Sequence, residues 1–306
     1  MSETATAAFG ARLQTAMAQH GPLCAGIDPH RSLVESWGLT YDYAGVERFA
    51  LTCVEAFGGA VAAVKPQSAF FEVFGSRGVA LLERVLDELR AAGTLSVLDV
   101  KRGDIGTTVD AYGEAFLGKD APSPADAITL SPYLGYESLR PAIDLAVQTG
   151  RGVFVLALTS NPEGASVQHA RDAAGRSVAA GVAQGAARDN AAARSRGELG
   201  SVGLVVGATV GDAVRELGVD LPGSGAPLLA PGLGAQGATA ADVRRVFAGA
   251  LGQVLASSSR DVLSAGPDVA SLRARARSVA ASVAEVVGED LADDEVAEGV
   301  LDTGGE

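Results

Sequence analysis

Short apolar runs recur eight times along the chain, each four to seven residues long and rich in Val, Leu and Ile. Runs of this kind suit parallel strands that are covered on both faces, and their alternation with helical stretches is typical of a parallel sheet. The eight predicted strands are 23–27, 60–65, 95–101, 127–130, 152–158, 202–208, 227–232 and 252–258.

The segments between these runs have the apolar spacing of helices. In residues 78–93 this spacing describes a helix with one buried face that ends at Gly93. An extra helix over residues 2–20 precedes the first strand and is expected to close the bottom of a barrel. The remaining predicted helices are 42–57, 77–92, 108–117, 137–149, 170–192, 211–217, 239–249 and 268–287.

Eight strand–helix units follow one another with no linker before about residue 288. The pattern therefore predicts one α/β domain over residues 1–288, a single (β/α)8 or TIM barrel. A doubly wound open sheet is the alternative that the same alternation allows. If the barrel is right, residues that carry chemistry should lie where strands end and loops begin.

Charge and composition narrow the class of protein. The net charge of −13 argues against a nucleic-acid-binding protein, because such proteins usually carry a cluster of basic residues. Residues 289–306 hold eight acids and no base, so they are predicted to form a disordered acidic tail, with a specific interaction tail as the alternative.

Cysteine usage and the N-terminal sequence favour a cytoplasmic protein. Cys24 and Cys53 lie in apolar stretches, as expected of reduced buried thiols, and no Cys or His spacing suggests a metal site. The N-terminus lacks the pattern of a secretion signal, and no apolar stretch is long enough to span a membrane.

The third predicted strand carries the strongest chemical signal. Asp99 and Lys101 are two residues apart, so both side chains point to the same face, here the barrel interior. Buried charges must be paired or functional, and a structural ion pair is the alternative. Lys65, at the end of the second strand, adds another ammonium to the same volume. Asp104 lies beyond the strand, where it could reach a neighbouring subunit.

Lysine is rare in this chain, with three lysines among 24 Lys and Arg residues. Only lysine offers a compact ammonium that can release its proton, so its use at positions 65 and 101 favours proton chemistry. Chance retention is the alternative.

The loops after the last two strands have features of a phosphate site. Glycine-rich backbone in residues 231–237 can approach an anion closely, and Arg260 follows strand 8, where barrel enzymes often hold phosphate. Ser160 and Asn161, after strand 5, could read an amide edge or merely cap a turn. The three histidines show no spacing for a metal or a catalytic triad.

Over roughly residues 8–285 the sequence resembles the orotidine 5′-monophosphate decarboxylase family, in its long-loop bacterial branch. The main motif is Asp-x-Lys-x-x-Asp-Ile, present from Asp99 to Ile105. The supporting elements follow in the expected order: residues 26–29, Lys65, residues 160–162, the loop after strand 7 and Arg260.

The resemblance implies a homodimeric carboxy-lyase that converts orotidine 5′-monophosphate (OMP) to uridine 5′-monophosphate (UMP) in pyrimidine biosynthesis without metal or organic cofactor. It also implies a role for each matching residue. Asp28 holds a ribose hydroxyl, Lys65 contacts the ribose and orders the charge network, Asp99 lies against the substrate carboxylate, and Lys101 delivers a proton to C6. Asp104 and Thr108 approach the ribose in the neighbouring subunit's site, Ser160 reads the pyrimidine, and Gln236 and Arg260 hold the phosphate. Asn161, Gly232 and Gly234 are expected to bind the substrate as well.

The sequence departs from the commoner family pattern in several loops. Pro66 and Gln67 follow Lys65 where a glycine is usual, residues 131–135 have no clear counterpart, and segments 109–126 and 161–200 are longer. Two alternative functions remain open. One is a sugar-phosphate decarboxylase or epimerase of the same barrel group, which would need a divalent ion. The other is a catalytically idle barrel that binds a nucleotide or a protein partner.

Overall fold

A computed structural model describes residues 7–233 and 237–298, with side chains to residue 288. Eight parallel strands close into a barrel in sequence order, because β8 pairs with β1 as well as with β7. The barrel is confirmed and the open sheet is wrong. The strands are β1 Leu23–Ile27, β2 Ala63–Pro66, β3 Leu95–Arg102, β4 Ala127–Leu130, β5 Gly152–Leu158, β6 Val202–Val206, β7 Leu228–Pro231 and β8 Val254–Ser258.

Helices surround the barrel and alternate with its strands. The helices are α1 Phe9–His20, α2 Arg31–Ser36, α3 Tyr43–Phe57, α4 Ala69–Glu72, α5 Ser76–Ala91, α6 Gly106–Leu117, α7 Arg140–Gln148, α8 Ala165–Gln168, α9 Val178–Asp189, α10 Ala191–Arg194, α11 Ala213–Glu216, α12 Leu221–Ser224, α13 Ala240–Val246, α14 Arg260–Leu263 and α15 Val269–Glu298. Single 3₁₀ turns occupy Tyr136–Leu139, Pro162–Gly164 and Leu251–Gln253.

All eight predicted strands are confirmed, whereas the helix predicted over residues 170–192 begins late. The expected helix 170–192 starts only at Val178, because the residues before it form a tight turn. In that turn the Asp172 carboxylate accepts hydrogen bonds from the backbone N–H groups of Ala174 and Arg176. Ser177 then caps α9 by accepting from the N–H of Ala180.

Helix α1 closes the bottom of the barrel, as predicted, but it begins at Phe9. Residues 7 and 8 of the helix expected over 2–20 are not helical, and residues 2–6 lie outside the described residues. Phe9 and Leu13 are fully buried against the inward-facing residues of the strands. The Phe9 ring meets Phe154 of β5 edge-on, with centroids 5.9 Å apart. Gly152 makes room for it, since a Cβ there would lie 2.2 Å from the Phe9 ring. Arg12 anchors the helix through a 2.6 Å ion pair with Asp126.

The remaining core lies between the barrel and the outer helices.

Both cysteines are buried free thiols, Cys24 inside the barrel and Cys53 in the outer core. Burial raises the pKa of Cys24 to about 12, so this thiol stays protonated.

In the part of the chain that the structure describes, no helix combines the length and apolar composition needed to cross a bilayer.

Helix α15 extends well past the predicted end of the barrel domain. Its backbone is helical to Glu298, beyond the expected boundary at residue 288. The predicted acidic tail therefore begins inside this helix. Residues 299–306 lie outside the described residues, so the disorder expected of the tail stays a prediction.

Candidate active site

A cavity of about 260 Å³ opens at the carboxyl ends of the strands. This is the end of the barrel where the sequence predicted the chemistry, and the charged residues of β1, β2 and β3 lie together in its wall. The lining residues are Asp28, His30, Lys65, Asp99, Lys101, Thr129, Leu156, Thr159, Val205, Leu229, Pro231, Gly232, Leu233, Ser257, Ser258, Ser259, Arg260 and Asp261.

Two lysines and two aspartates alternate across the floor of this cavity. Asp99 stands between the lysines, with Oδ1 2.6 Å from Lys101 Nζ and Oδ2 3.0 Å from Lys65 Nζ. On its other side Lys65 Nζ lies 3.7 Å from Asp28 Oδ1. The barrel explains this arrangement. Neighbouring parallel strands end at the same face of the barrel, so the inward-pointing side chains at their carboxyl ends lie side by side. Lys65, Asp99 and Lys101, which the sequence predicted to act together, therefore meet here. The fourth charge of this set is Asp28 and not Asp104.

Mutual attraction keeps the two buried groups of this set, Asp99 and Lys65, ionised. Burial alone would raise the pKa of Asp99, but Lys65 and Lys101 lower it to about 2. Burial likewise disfavours the charged form of Lys65, but the Asp28 and Asp99 carboxylates more than compensate and raise its pKa. Asp99 therefore stays a carboxylate and Lys65 an ammonium at neutral pH, and their pairing explains how both tolerate burial.

Lys101 has an unusual backbone for its residue type. Its φ is +45°, the only positive φ of a non-glycine residue in the described chain. The register between β3 and β4 shifts in the same place, between Leu98 and Arg102. A conformation of this kind costs about 1–3 kcal/mol and is retained where the surrounding structure holds it. The Lys101 side chain is 46% exposed at the cavity, whereas its partner Asp99 is only 8% exposed.

The predicted phosphate residues lie at one side of the same cavity. Gly232 has a φ of +102°, a conformation that suits glycine, and it follows β7 directly. Arg260 begins α14 after β8, and its guanidinium makes no ion pair with any described residue. Gly234 and Gln236 lie outside the described residues, so their expected roles stay predictions.

The strand ends also place polar atoms without a hydrogen-bond partner beside this cavity. Ser258 Oγ and Asp28 Oδ1 are buried and accept or donate no hydrogen bond among the described residues. Ser259 fits against β1 only because residue 26 is glycine, since a Cβ there would lie 1.9 Å from Ser259 Oγ. Buried polar groups without partners are costly, so these atoms are candidates for ligand contacts.

Ser160 and Asn161 are exposed in the loop after β5, outside the cavity wall. Asn161 binds its own loop instead, accepting from Thr159 Oγ1 at 2.6 Å and donating to Glu163 at 3.2 Å. This geometry is the turn-capping arrangement that the sequence left open. Thr159 is the residue of this loop that lines the cavity.

Asp104 and Thr108 do not line the cavity of their own chain. The Asp104 carboxylate accepts a hydrogen bond from the Ile105 N–H at 2.8 Å, and Thr108 lies exposed on α6. Next to them the Ile105 side chain is 61% exposed. Their expected contribution to a neighbouring subunit stays a prediction.

Sequence reasoning missed several residues of the site. Thr129 of β4 donates to Asp99 Oδ1 at 2.8 Å, and Gln67 donates to Asp99 Oδ2 at 2.8 Å. Strand parity could have found Gln67, because it lies two residues after Lys65. His30, which the sequence left without a role, lines the cavity, and the centroid of its ring lies 4.3 Å from that of Phe70.

Among the described residues no group of three acids, histidines or cysteines could hold a metal ion.

Together the barrel and its charged centre define a (β/α)8-barrel enzyme with a lysine–aspartate active site. Residues 21–275 match the model of the family described as orotidine 5′-phosphate decarboxylase / HUMPS. The chain belongs to this family.

Similar proteins span nearly the whole chain. An orotidine 5′-phosphate decarboxylase from Salinispora arenicola is 61% identical over 273 residues, which are 89% of this chain and 96% of that protein. One from Streptomyces coelicolor is 58% identical over 91% of this chain and 98% of its own length. Among solved structures, the OMP decarboxylase of Leishmania donovani is 31% identical, with a TM-score of 0.67 over 90% of this chain and 97% of that one.

Proposed function

We propose that this chain decarboxylates OMP to UMP and that Lys101 donates the proton that replaces the carboxylate. The observation that carries the proposal is the 2.6 Å contact between Lys101 Nζ and Asp99 Oδ1 inside the cavity, next to Lys65 and Asp28. Family membership and the named relatives support the substrate and the reaction.

The reaction needs a positive charge in the plane of the pyrimidine ring. When the bond between C6 and the carboxylate breaks, its electron pair stays on C6 in an orbital that ring conjugation cannot delocalise. An ammonium placed in that plane stabilises the developing charge. Lys101 then transfers a proton from Nζ to C6, which gives UMP and leaves a neutral amine that solvent reprotonates. Arginine could stabilise the charge but does not readily release a proton.

Asp99 and Lys65 prepare this step. Asp99 would lie against the substrate carboxylate and hold the Lys101 ammonium in place, while Lys65 compensates its charge. Asp28 would accept a hydrogen bond from a ribose hydroxyl. Its buried Oδ1 is available for this bond, because it has no hydrogen-bond partner among the described residues. Ser160 and Asn161 would have to turn inward to read the pyrimidine, so we expect their loop to move when substrate binds.

The phosphate supplies binding energy at a distance from C6. Arg260 offers a forked donor that suits phosphate, and the backbone at Gly232 allows close approach. The family resemblance adds Gln236 as a further phosphate-binding residue and Gly234 as a substrate-binding residue. Interactions with such a remote group order the site for the chemical step.

We further propose a cytoplasmic homodimer in which each chain completes the other's site. Asp104 lies just before α6 and Thr108 in its first turn, both outside their own cavity and close to the exposed Ile105. This placement supports their expected contribution to the ribose site of a neighbouring subunit.

The direct experiment follows the ultraviolet absorbance of OMP after mixing with the purified protein in the presence of a chelator. We expect the spectrum to change to that of UMP at an undiminished rate. Loss of turnover on chelation, with restoration by a divalent ion, would favour the sugar-phosphate alternative. Binding of OMP with no spectral change would favour the idle barrel.

A further inference from the structure

The Asp99 carboxylate accepts four hydrogen bonds, of which only two come from lysines. Oδ1 accepts from Lys101 Nζ at 2.6 Å and from Thr129 Oγ1 at 2.8 Å. Oδ2 accepts from Lys65 Nζ at 3.0 Å and from Gln67 Nε2 at 2.8 Å. A carboxylate offers about four lone-pair sites, so this set occupies them all and leaves the group one orientation.

Thr129 joins both halves of the lysine–aspartate pair. Its side chain is buried in β4, and its hydroxyl accepts a hydrogen bond from the backbone N–H of Lys101 at 2.9 Å while donating to Asp99. Lys101 is the residue with the positive φ, at the point where the register of β3 and β4 shifts. The Thr129 hydroxyl thus satisfies the N–H that this conformation removes from regular pairing.

Gln67 is fixed to Asp99 by its backbone as well as its side chain. It forms an isolated parallel bridge with Asp99, directly beyond the end of β2. Its own N–H donates to the Ile27 carbonyl oxygen at 3.2 Å, and the next N–H, of Ser68, donates to the Asp99 carbonyl oxygen at 3.3 Å. The amide is therefore held from both neighbouring strands, and its place beside Oδ2 is set by the main chain.

We propose that Thr129 and Gln67 are positioning residues for the decarboxylation: both hold the Asp99 carboxylate in one orientation, and Thr129 also holds the backbone of Lys101. This inference rests on the proposed function. The physical reason is that two flexible lysines alone would let the carboxylate rotate, whereas neutral donors on rigid elements do not move. A preorganised charge pair needs no rearrangement during the reaction.

The test separates kcat from KM in variants that remove one donor each. Thr129→Val keeps the shape of the side chain without the hydroxyl, and Gln67→Met keeps its length without the amide. Since hydrogen bonds to charged groups are stronger than those between neutral groups, we expect Thr129→Val to lower kcat by about 10- to 100-fold. Gln67→Met should lower it by about 3- to 30-fold, because Lys65 still holds Oδ2. KM should stay within about threefold in both, since neither residue is expected to touch the substrate.

Conservative rescue and matched controls distinguish positioning from general damage. Thr129→Ser restores the hydroxyl and should recover kcat to within about threefold of the unmodified protein. Thr149→Val and Gln253→Met change the same residue types below the barrel, where Thr149 binds the Leu145 carbonyl and Gln253 the Pro222 carbonyl. Both controls should keep kcat unchanged.

Three results would overturn the inference: an unchanged kcat in Thr129→Val and Gln67→Met, a raised KM with kcat retained, or a Thr129→Ser variant as slow as Thr129→Val. If Thr129→Val does not fold, Gln67→Met carries the test, since it lies at the half-buried edge of the site. The unmodified protein is assayed first with OMP. Absence of turnover there contradicts the proposed function itself, whereas turnover with unaffected variants contradicts only the positioning roles.

Discussion

Replacing Asp99 with asparagine tests the balance of the four charges at the floor of the cavity. The carboxylate is 8% exposed, and the two lysines beside it lower its pKa from the ordinary 3.8 to about 2. A difference of that size corresponds to roughly 2–3 kcal/mol of folding stability at neutral pH. The substitution would leave Lys65 and Lys101 facing a neutral amide, with Asp28 as the one remaining anion of the set. We therefore expect Asp99→Asn to lower the free energy of unfolding by that amount.

The pH dependence of this loss has a definite sign. Because folding lowers the pKa of Asp99, its stabilisation is fully present above the unfolded value near 3.8 and is lost as the pH falls towards 2. The deficit of Asp99→Asn should therefore be constant from about pH 8 to pH 5 and should shrink below about pH 4.

Urea unfolding of both proteins at several pH values measures this difference. Asp144→Asn is the control, because Asp144 is 65% exposed and forms only a 3.5 Å surface pair with Arg140, so its loss should cost about 0.5 kcal/mol or less. An Asp99→Asn variant as stable as the unmodified protein at pH 7 would refute the reasoning. So would a deficit that grows as the pH falls below 4.

Three further predictions follow from the rest of the site. Gly26→Ala should destabilise the fold by about 1–3 kcal/mol, because its Cβ would clash with Ser259. Adding Ser259→Gly should restore the stability, and a double variant that unfolds at as low a temperature as Gly26→Ala alone would contradict the contact. Arg260→Ala should raise KM for OMP by about 10- to 100-fold, whereas inorganic phosphate inhibition unchanged by the substitution would remove Arg260 from the phosphate site. Mixed Asp104→Ala and Lys101→Ala proteins should recover roughly a quarter of the normal activity through hybrid two-fold dimers, and no recovery would count against a shared site.

The barrel could be predicted because its strands are buried on both faces. Each is a short apolar run, such as 152–158, and lies between two segments with the apolar spacing of a helix. This alternation along the sequence indicates parallel strands covered by helices. The helix expected from residue 170 began late because the turn around Asp172 depends on local hydrogen bonds between side chain and backbone. Such bonds compete with helix formation and are not visible in apolar spacing.

The charged centre could be predicted from strand parity, and so could Gln67, whereas Thr129 could not. Asp99 and Lys101 share one face of a single strand, and their charge makes them conspicuous. Thr129 belongs to a different strand, and its contact with Asp99 depends on the register between β3 and β4, which shifts at this point. The left-handed backbone of Lys101 has no sequence signal either, since lysine rarely adopts it.

The most direct test of the account compares Lys101→Ala with Lys119→Ala in the OMP absorbance assay. Lys119 is exposed on the outside of the barrel, so its loss controls for removal of a lysine. We expect Lys119→Ala to keep full activity and Lys101→Ala to lose at least about 100-fold in kcat, as removal of a proton donor requires. A Lys101→Ala protein that retains activity within about tenfold, or about 1.4 kcal/mol of barrier, would contradict the assignment of the proton donor.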